Sequence, residues 1–132
     1  MWTTVLTPRV SETDGLGHIN NTVAATWLEA GRLGLFRIFT PDDDFSQWRM
    51  IVVALSLNFH REIFFGSDVT VTVCVSKIGR SSLQLSESIW QDGQLCVTGE
   101  ATYVNVDPTT KKSAPIPEDV RSVLTRHVCP SP

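Results

Sequence analysis

From residue 69 to residue 76 the chain alternates without a break: Val69, Val71, Val73 and Val75 are separated by Thr70, Thr72, Cys74 and Ser76. Successive side chains on a strand point to opposite faces, so this strict period of two predicts a strand with one buried face. "GRSS" follows as a turn, and "LQLSESIW" alternates again. "QDGQ" then carries Asp92-Gly93, a strong short hairpin signal, and "QLCVTGEATYVNV" reads as the return strand, ended by Pro108. Upstream, "MIVVALSLNFHREI" is a further strand punctuated by Gly66. "WTTVLTPRV", rich in β-branched residues, is a short first strand.

The period changes between Asn21 and Phe39. Ala24, Trp27, Leu28, Leu35, Phe36 and Phe39 nearly encircle a helix, which predicts that it is buried. Asn20 or Asn21 caps its start and Pro41 stops it. Gly31 and Gly34 each cost about 1 kcal/mol against alanine in a helix, which points to close backbone approach to a neighbouring sheet. "PEDVRSVLTRH" is a short terminal helix with Pro117 near its first turn. The expected fold is therefore α+β: an antiparallel sheet of about five strands wrapped around one long buried helix, with a short C-terminal helix. One domain over residues 1–132 fits the length. A single sheet around one helix leaves a face and an edge to cover, so a homodimer or homotetramer is expected.

Composition narrows the function. A hydrophobic fraction of 42% and a charged fraction of 19% are globular proportions. A net charge of -3 implies no broad basic surface and argues against a nucleic-acid binder. No apolar run approaches the ~20 residues that span a bilayer, and the N-terminus has no signal-peptide pattern, so no membrane role is expected and a cytoplasmic location is. Cys74, Cys96 and Cys129 form no C-x-x-C or zinc-spaced cluster and read as three reduced thiols. No metal site is expected.

The densest chemistry lies in "ETDGLGHINNT", residues 12–22, directly ahead of the helix. Taken alone, Asp14-Gly15 is a turn and Asn20 a helix cap. As a block, Asp14, Gly17, His18, Ile19, Asn20, Asn21, Trp27 and Glu29 resemble the hotdog-fold acyl-CoA thioesterases of the 4-hydroxybenzoyl-CoA thioesterase-like group. "KIGRSS", Lys77 to Ser82, is a second matching block, and the resemblance runs through nearly the whole chain, including strand order.

The resemblance implies a hotdog fold and hydrolysis of an acyl-CoA thioester to free acid and coenzyme A, with sites at a dimer interface and no metal or redox cofactor. Asp14 is the implied catalytic carboxylate, as nucleophile or as the base that activates water; the residues leave both routes open. The Asn21 backbone N–H, at the helix start, is the implied donor to the thioester oxygen. His18 either hydrogen-bonds the thioester or satisfies the loop. Glu29 can pair with Arg32 at i+3, or serve as the carboxylate if Asp14 is structural. Gly17 and Asn20 are implied substrate-binding residues; Asn20 is most simply a helix cap, with water positioning as its other role. Lys77, Gly79, Arg80, Ser81 and Ser82 form either a solvated turn or a cradle for coenzyme A phosphates, with Arg61 a further candidate. Many relatives carry a tyrosine where this chain has Ala24, which opens the acyl pocket to other shapes. Two alternatives remain: a hotdog hydratase or dehydratase of acyl thioesters, whose usual His-Phe-Pro signature is missing here, and a non-catalytic acyl-CoA binding module.

Overall fold

The β-branched runs form the strands their alternation predicts. A computed structural model describes residues 1–131. Its strands are β1 (Trp2–Leu6), β2 (Met50–Phe59), β3 (Val69–Ile78), β4 (Ser82–Gln91) and β5 (Gln94–Asn105). They join in one sheet in the order β1-β3-β4-β5-β2, with every neighbouring pair antiparallel. Val69, Val71, Val73 and Val75 are fully buried while the residues between them are not. Asp92 and Gly93 both take positive φ, 52° and 74°, the geometry of a two-residue hairpin turn.

The long helix is broken once. It runs as α1 (Asn21–Gly31) and α2 (Leu33–Phe39), with Arg32 between them at φ -89°, ψ 0°. The break faces the sheet. Arg32 is only 3% exposed, and its Nε and Nη2 donate to the two oxygens of Glu87 on β4, at 2.5 and 2.7 Å. Its Nη1 donates to the Tyr103 hydroxyl of β5 at 3.1 Å. Arg32 thus pairs into the core rather than with Glu29, contrary to the i+3 expectation. The ladder places Glu87 on the same buried face as Leu85 and Ile89, where an unpaired carboxylate would be costly.

Gly31 fits the predicted close approach. A Cβ there would lie 2.6 Å from Val71 Cγ1, and one at Gly34 would collide with the Trp2 ring. The helix therefore rests on β3 and β1 with almost no clearance.

The cysteines depart from expectation. Cys74 and Cys129 form a disulfide, with Cα atoms 4.9 Å apart, and only Cys96 is a free thiol. The tail returns to the sheet to make this bond: Val128 bridges Val75, and the Cys129 N–H donates to Val75 O at 2.9 Å. The thiols thus give no ground for a reducing compartment. The terminal helix is α3 (Glu118–Leu124), continued by a 3-10 turn at Thr125–His127, and it buries Val120 and Leu124. Among the described residues no helix is long and apolar enough to cross a membrane.

β2 stands at the sheet edge with one side unpaired. Ile51, Val52, Val53, Leu55 and Phe59 are all exposed, at 45–58%. The register shift between Val52 and Ala54 marks a bulge there.

Candidate active site

The segment ahead of α1 folds back on itself. Thr13 and Ile19 form an antiparallel bridge, and the Asp14 N–H donates to His18 O at 2.8 Å. The tip turns through Gly15 and Gly17, at φ 89° and 85°, angles that a side chain would strain. Asp14 Oδ1 accepts the Leu16 N–H at 2.8 Å, an Asx turn. Asp14 Oδ2 lies 3.5 Å from His18 Nδ1, and each side chain is 36% exposed. The turn thus presents a carboxylate beside an imidazole, both open to solvent.

Two residues that sequence reasoning missed hold this turn in place. Glu12 is 8% exposed; its Oε1 accepts the Arg9 N–H at 2.7 Å and its Oε2 the Trp27 indole N–H at 2.9 Å. Burial pushes its carboxyl up, but the hydrogen bonds from Arg9 and Trp27 outweigh that and hold it below the usual carboxylate range. On the other side, the Phe65 N–H donates to Gly17 O at 2.8 Å and the Ile19 N–H to Ile63 O at 2.7 Å. Buried Gln91 fixes that supporting segment, accepting from the Phe64 N–H and donating to Phe64 O and Ser67 O. A buried polar residue late in an alternating strand was the signal available for Gln91. Glu12 gave none beyond its place beside the glycine loop.

α1 begins as expected. The Asn20 side chain accepts the Thr22 N–H at 3.0 Å, and its carbonyl takes the Val23 N–H. Among the described residues no acceptor meets the Asn21 N–H, the first of the helix. Asn21 is one of the residues lining a cavity of about 240 Å³, with Asn20, Ala24, Phe59, Arg61 and Val97 among the others.

The other expected site residues do not line this cavity. Asp14, Gly17 and His18 sit on the turn next to this cavity but do not line it. Glu29 is two turns along α1, about 12 Å from Asn21 at 1.5 Å per residue. It lines a second, more apolar cavity of about 450 Å³ with Leu33, Phe36, Trp48, Met50 and Tyr103. Lys77 to Ser82 form the β3–β4 turn at the opposite end of the sheet. There the Asn105 N–H donates to Ser81 O, and Ser82 faces Val104. Val104 is seven residues along β5 from Val97 of the first cavity, about 24 Å at strand rise. Gly79 closes that turn: its N–H donates to Ser82 O, and the Ser82 hydroxyl occupies the space a Cβ would need. Within the chain, then, Asn20, Asn21 and Arg61 come together, the Asp14 turn adjoins them, and Glu29 and the phosphate-cradle candidates do not.

Known proteins share this fold. Residues 8–124 match the thioesterase-like superfamily. A predicted thioesterase from Bacillus stearothermophilus is 45% identical, with a TM-score of 0.95 over 99% of this chain and 98% of that one. A thioesterase from Thermus thermophilus, solved with coenzyme A and zinc, is 27% identical, with a TM-score of 0.83 over 93% of this chain and 96% of that one. The uncharacterised protein YsmA of Bacillus subtilis (strain 168) is 26% identical over 119 residues, which cover 88% of this chain and 80% of that protein.

Proposed function

The chain belongs to the thioesterase-like superfamily, and from that premise we propose that it hydrolyses an acyl-CoA thioester to the free acid and coenzyme A. The observation that carries this reading is the solvent-open Asp14 carboxylate on a turn braced against α1 through Glu12, together with a first helix N–H, that of Asn21, which has no protein acceptor among the described residues. The thioester oxygen accepts from Asn21 N–H, so the charge that develops as the carbonyl is attacked meets a preset donor backed by the helix dipole. Asp14 either takes a proton from the attacking water or itself attacks the carbonyl carbon to give an anhydride that water then opens. In both cases the C–S bond breaks, the acid leaves with an oxygen from water, and the thiolate takes up a proton. His18, 3.5 Å from Asp14, orients the carboxylate.

The site is completed by a second copy of the chain. The unpaired apolar edge of β2 supports a homodimer joined β2 to β2 in antiparallel fashion. Antiparallel pairing sets the start of one β2 beside the end of the other. Met50, at the start, is paired with Asn105, whose N–H donates to Ser81 O in the β3–β4 turn. Phe59, at the end, lines the cavity at the helix start. The dimer thus brings the Lys77–Ser82 turn and the apolar cavity of one subunit toward the Asn21 N–H of the other. The apolar cavity then takes the acyl chain, and Glu29 of the partner subunit is the reserve carboxylate if Asp14 is structural.

The test is free-thiol release from a panel of acyl-CoAs by the wild type, Asp14→Asn and Glu29→Gln. Asp14→Asn is expected to lower turnover at least about a hundredfold, the lower end for loss of an acid–base group. Full turnover in a folded Asp14→Asn protein passes the role to Glu29. Substrate consumption or binding without thiol release anywhere in the panel overturns hydrolysis, in favour of a hydratase or a binding module respectively. Hydroxylamine trapping of an acyl-enzyme separates the anhydride route from the water route.

A further inference from the structure

Tyr103 on β5 carries a proton that the protein does not use. The residue is 4% exposed, and its hydroxyl oxygen accepts from Arg32 Nη1 at 3.1 Å. A guanidinium only donates, so the hydroxyl's own proton turns away from Arg32. Among the described residues none accepts it. Burial pushes the pKa of this hydroxyl up, so the proton stays in place through the neutral range. Nearly all buried donors find an acceptor, because one left without is costly.

The donor is fixed from behind. Glu87 holds Arg32 by Nε and Nη2, which leaves Nη1 set against the Tyr103 oxygen. A buried ion pair seldom adds stability over apolar packing. Here it fixes the hydroxyl, and accepting from a cation makes that O–H the stronger donor. Tyr103 is also a wall of the apolar cavity of about 450 Å³, with Phe36, Trp48 and Met50. The charged residues that line this cavity are both acids, Glu29 and Asp43. Asp43 is taken by Arg37 Nη2 at 3.0 Å, and Glu29 has no ion-pair partner among the described residues. An anionic group entering here meets a free carboxylate, whereas a neutral oxygen meets a preset donor.

We propose that Tyr103 selects the acyl group: the cavity takes a neutral chain that carries a keto or hydroxyl oxygen on its hydrocarbon body, in preference to a plain chain of the same length or one that ends in a carboxylate. This rests on the thioesterase reading and on this cavity as the place of the acyl chain. The Tyr103 O–H donates to the oxygen of the chain, while the aromatic rings and Met50 cover its carbons. A plain chain leaves the O–H buried without an acceptor, and so loses binding that the oxygen-bearing chain keeps.

The experiment measures kcat/KM for wild type and Tyr103→Phe on acyl-CoAs of one chain length. The set holds the plain chain, chains with a keto or hydroxyl oxygen at each successive carbon, and the chain that ends in a carboxylate. Wild type is expected to prefer the best-placed oxygen to the plain chain about tenfold, the size of one net hydrogen bond, and to disfavour the carboxylate. Tyr103→Phe keeps the ring and loses the hydroxyl, and is expected to remove the preference for oxygen. No preference in wild type at any carbon means that water meets the O–H, and overturns the proposal; so does a preference that survives in Tyr103→Phe. Calorimetric binding of non-cleavable thioether analogues of the same acyl-CoAs gives a readout that needs no hydrolysis. If no thioester is cleaved, but wild type binds the oxygen-bearing analogue about tenfold tighter than the plain one and Tyr103→Phe does not, the hydrolase reading falls and the Tyr103 contact stands. Equal binding of the two analogues by wild type overturns it.

Discussion

The carboxylate of Glu12 reaches Trp27, 15 residues along the chain: one oxygen meets the Trp27 indole at 2.9 Å and the other the Arg9 N–H at 2.7 Å. The Asn20 N–H donates to Glu12 O as well, so the residue ties the Asp14 turn to the start of α1 by side chain and backbone together. The folded state holds this carboxyl below its ordinary pKa, so it binds a proton less readily than the unfolded chain does. The resulting stability is present above the ordinary carboxylate range and is lost as pH falls through the folded value. Glu12→Gln is expected to be less stable than wild type at pH 7 and closer to it at pH 3. Urea unfolding at the two pH values measures this; an identical pH dependence for both proteins refutes it.

Arg32 and Glu87 form a buried ion pair between the helix break and β4. Arg32→Met leaves an unpaired buried carboxylate and is expected to cost about 3–5 kcal/mol. Arg32→Met/Glu87→Leu is expected to recover most of that, since apolar replacement of a whole buried pair is often neutral. A double-mutant cycle in chemical unfolding tests this, and additive losses contradict it.

The Cys74–Cys129 disulfide spans 55 residues. Loop-closure entropy for that span gives about 4 kcal/mol of stabilisation. Cys129→Ser is expected to lower the unfolding free energy by a comparable amount, and dithiothreitol to do the same to wild type but not to the variant. Chemical unfolding with and without the reductant checks both.

Leu55 faces the helix side of the β2 edge, opposite Ala101. Leu55→Lys places a charge on the proposed subunit seam and is expected to yield a monomer in sedimentation with thioester hydrolysis lost. A fully active monomer would show that one protomer holds a complete site.

Much of this architecture was legible in the residues because its causes are local. The valine alternation of β3, the Asp92-Gly93 hairpin and the Asn20 cap each depend on neighbours within a few positions. Other features depend on distant partners. Arg32 is a good helix former, and its break reflects Glu87, 55 positions away. Glu12 reads as an exposed acid until Trp27 is folded over it. Cys74 sits in a strand whose alternation says which way it points but not that the tail returns to meet it. The Lys77–Ser82 block was recognisable as a turn, yet its place at the far end of the sheet follows from strand lengths and register.

The contact of Gly31 with Val71 bears on how such a protein can change its diet. On the proposed reading as an acyl-CoA thioesterase, with no gap beneath α1, a longer or bulkier acyl group cannot be housed by lifting the helix or hollowing the sheet below it. Room can be made only along the flank that faces β2, where Leu33, Phe36, Trp48 and Val52 stand. If that cavity holds the substrate as proposed, substrate range can drift through flank residues alone, while the seat of α1 on the sheet stays the same.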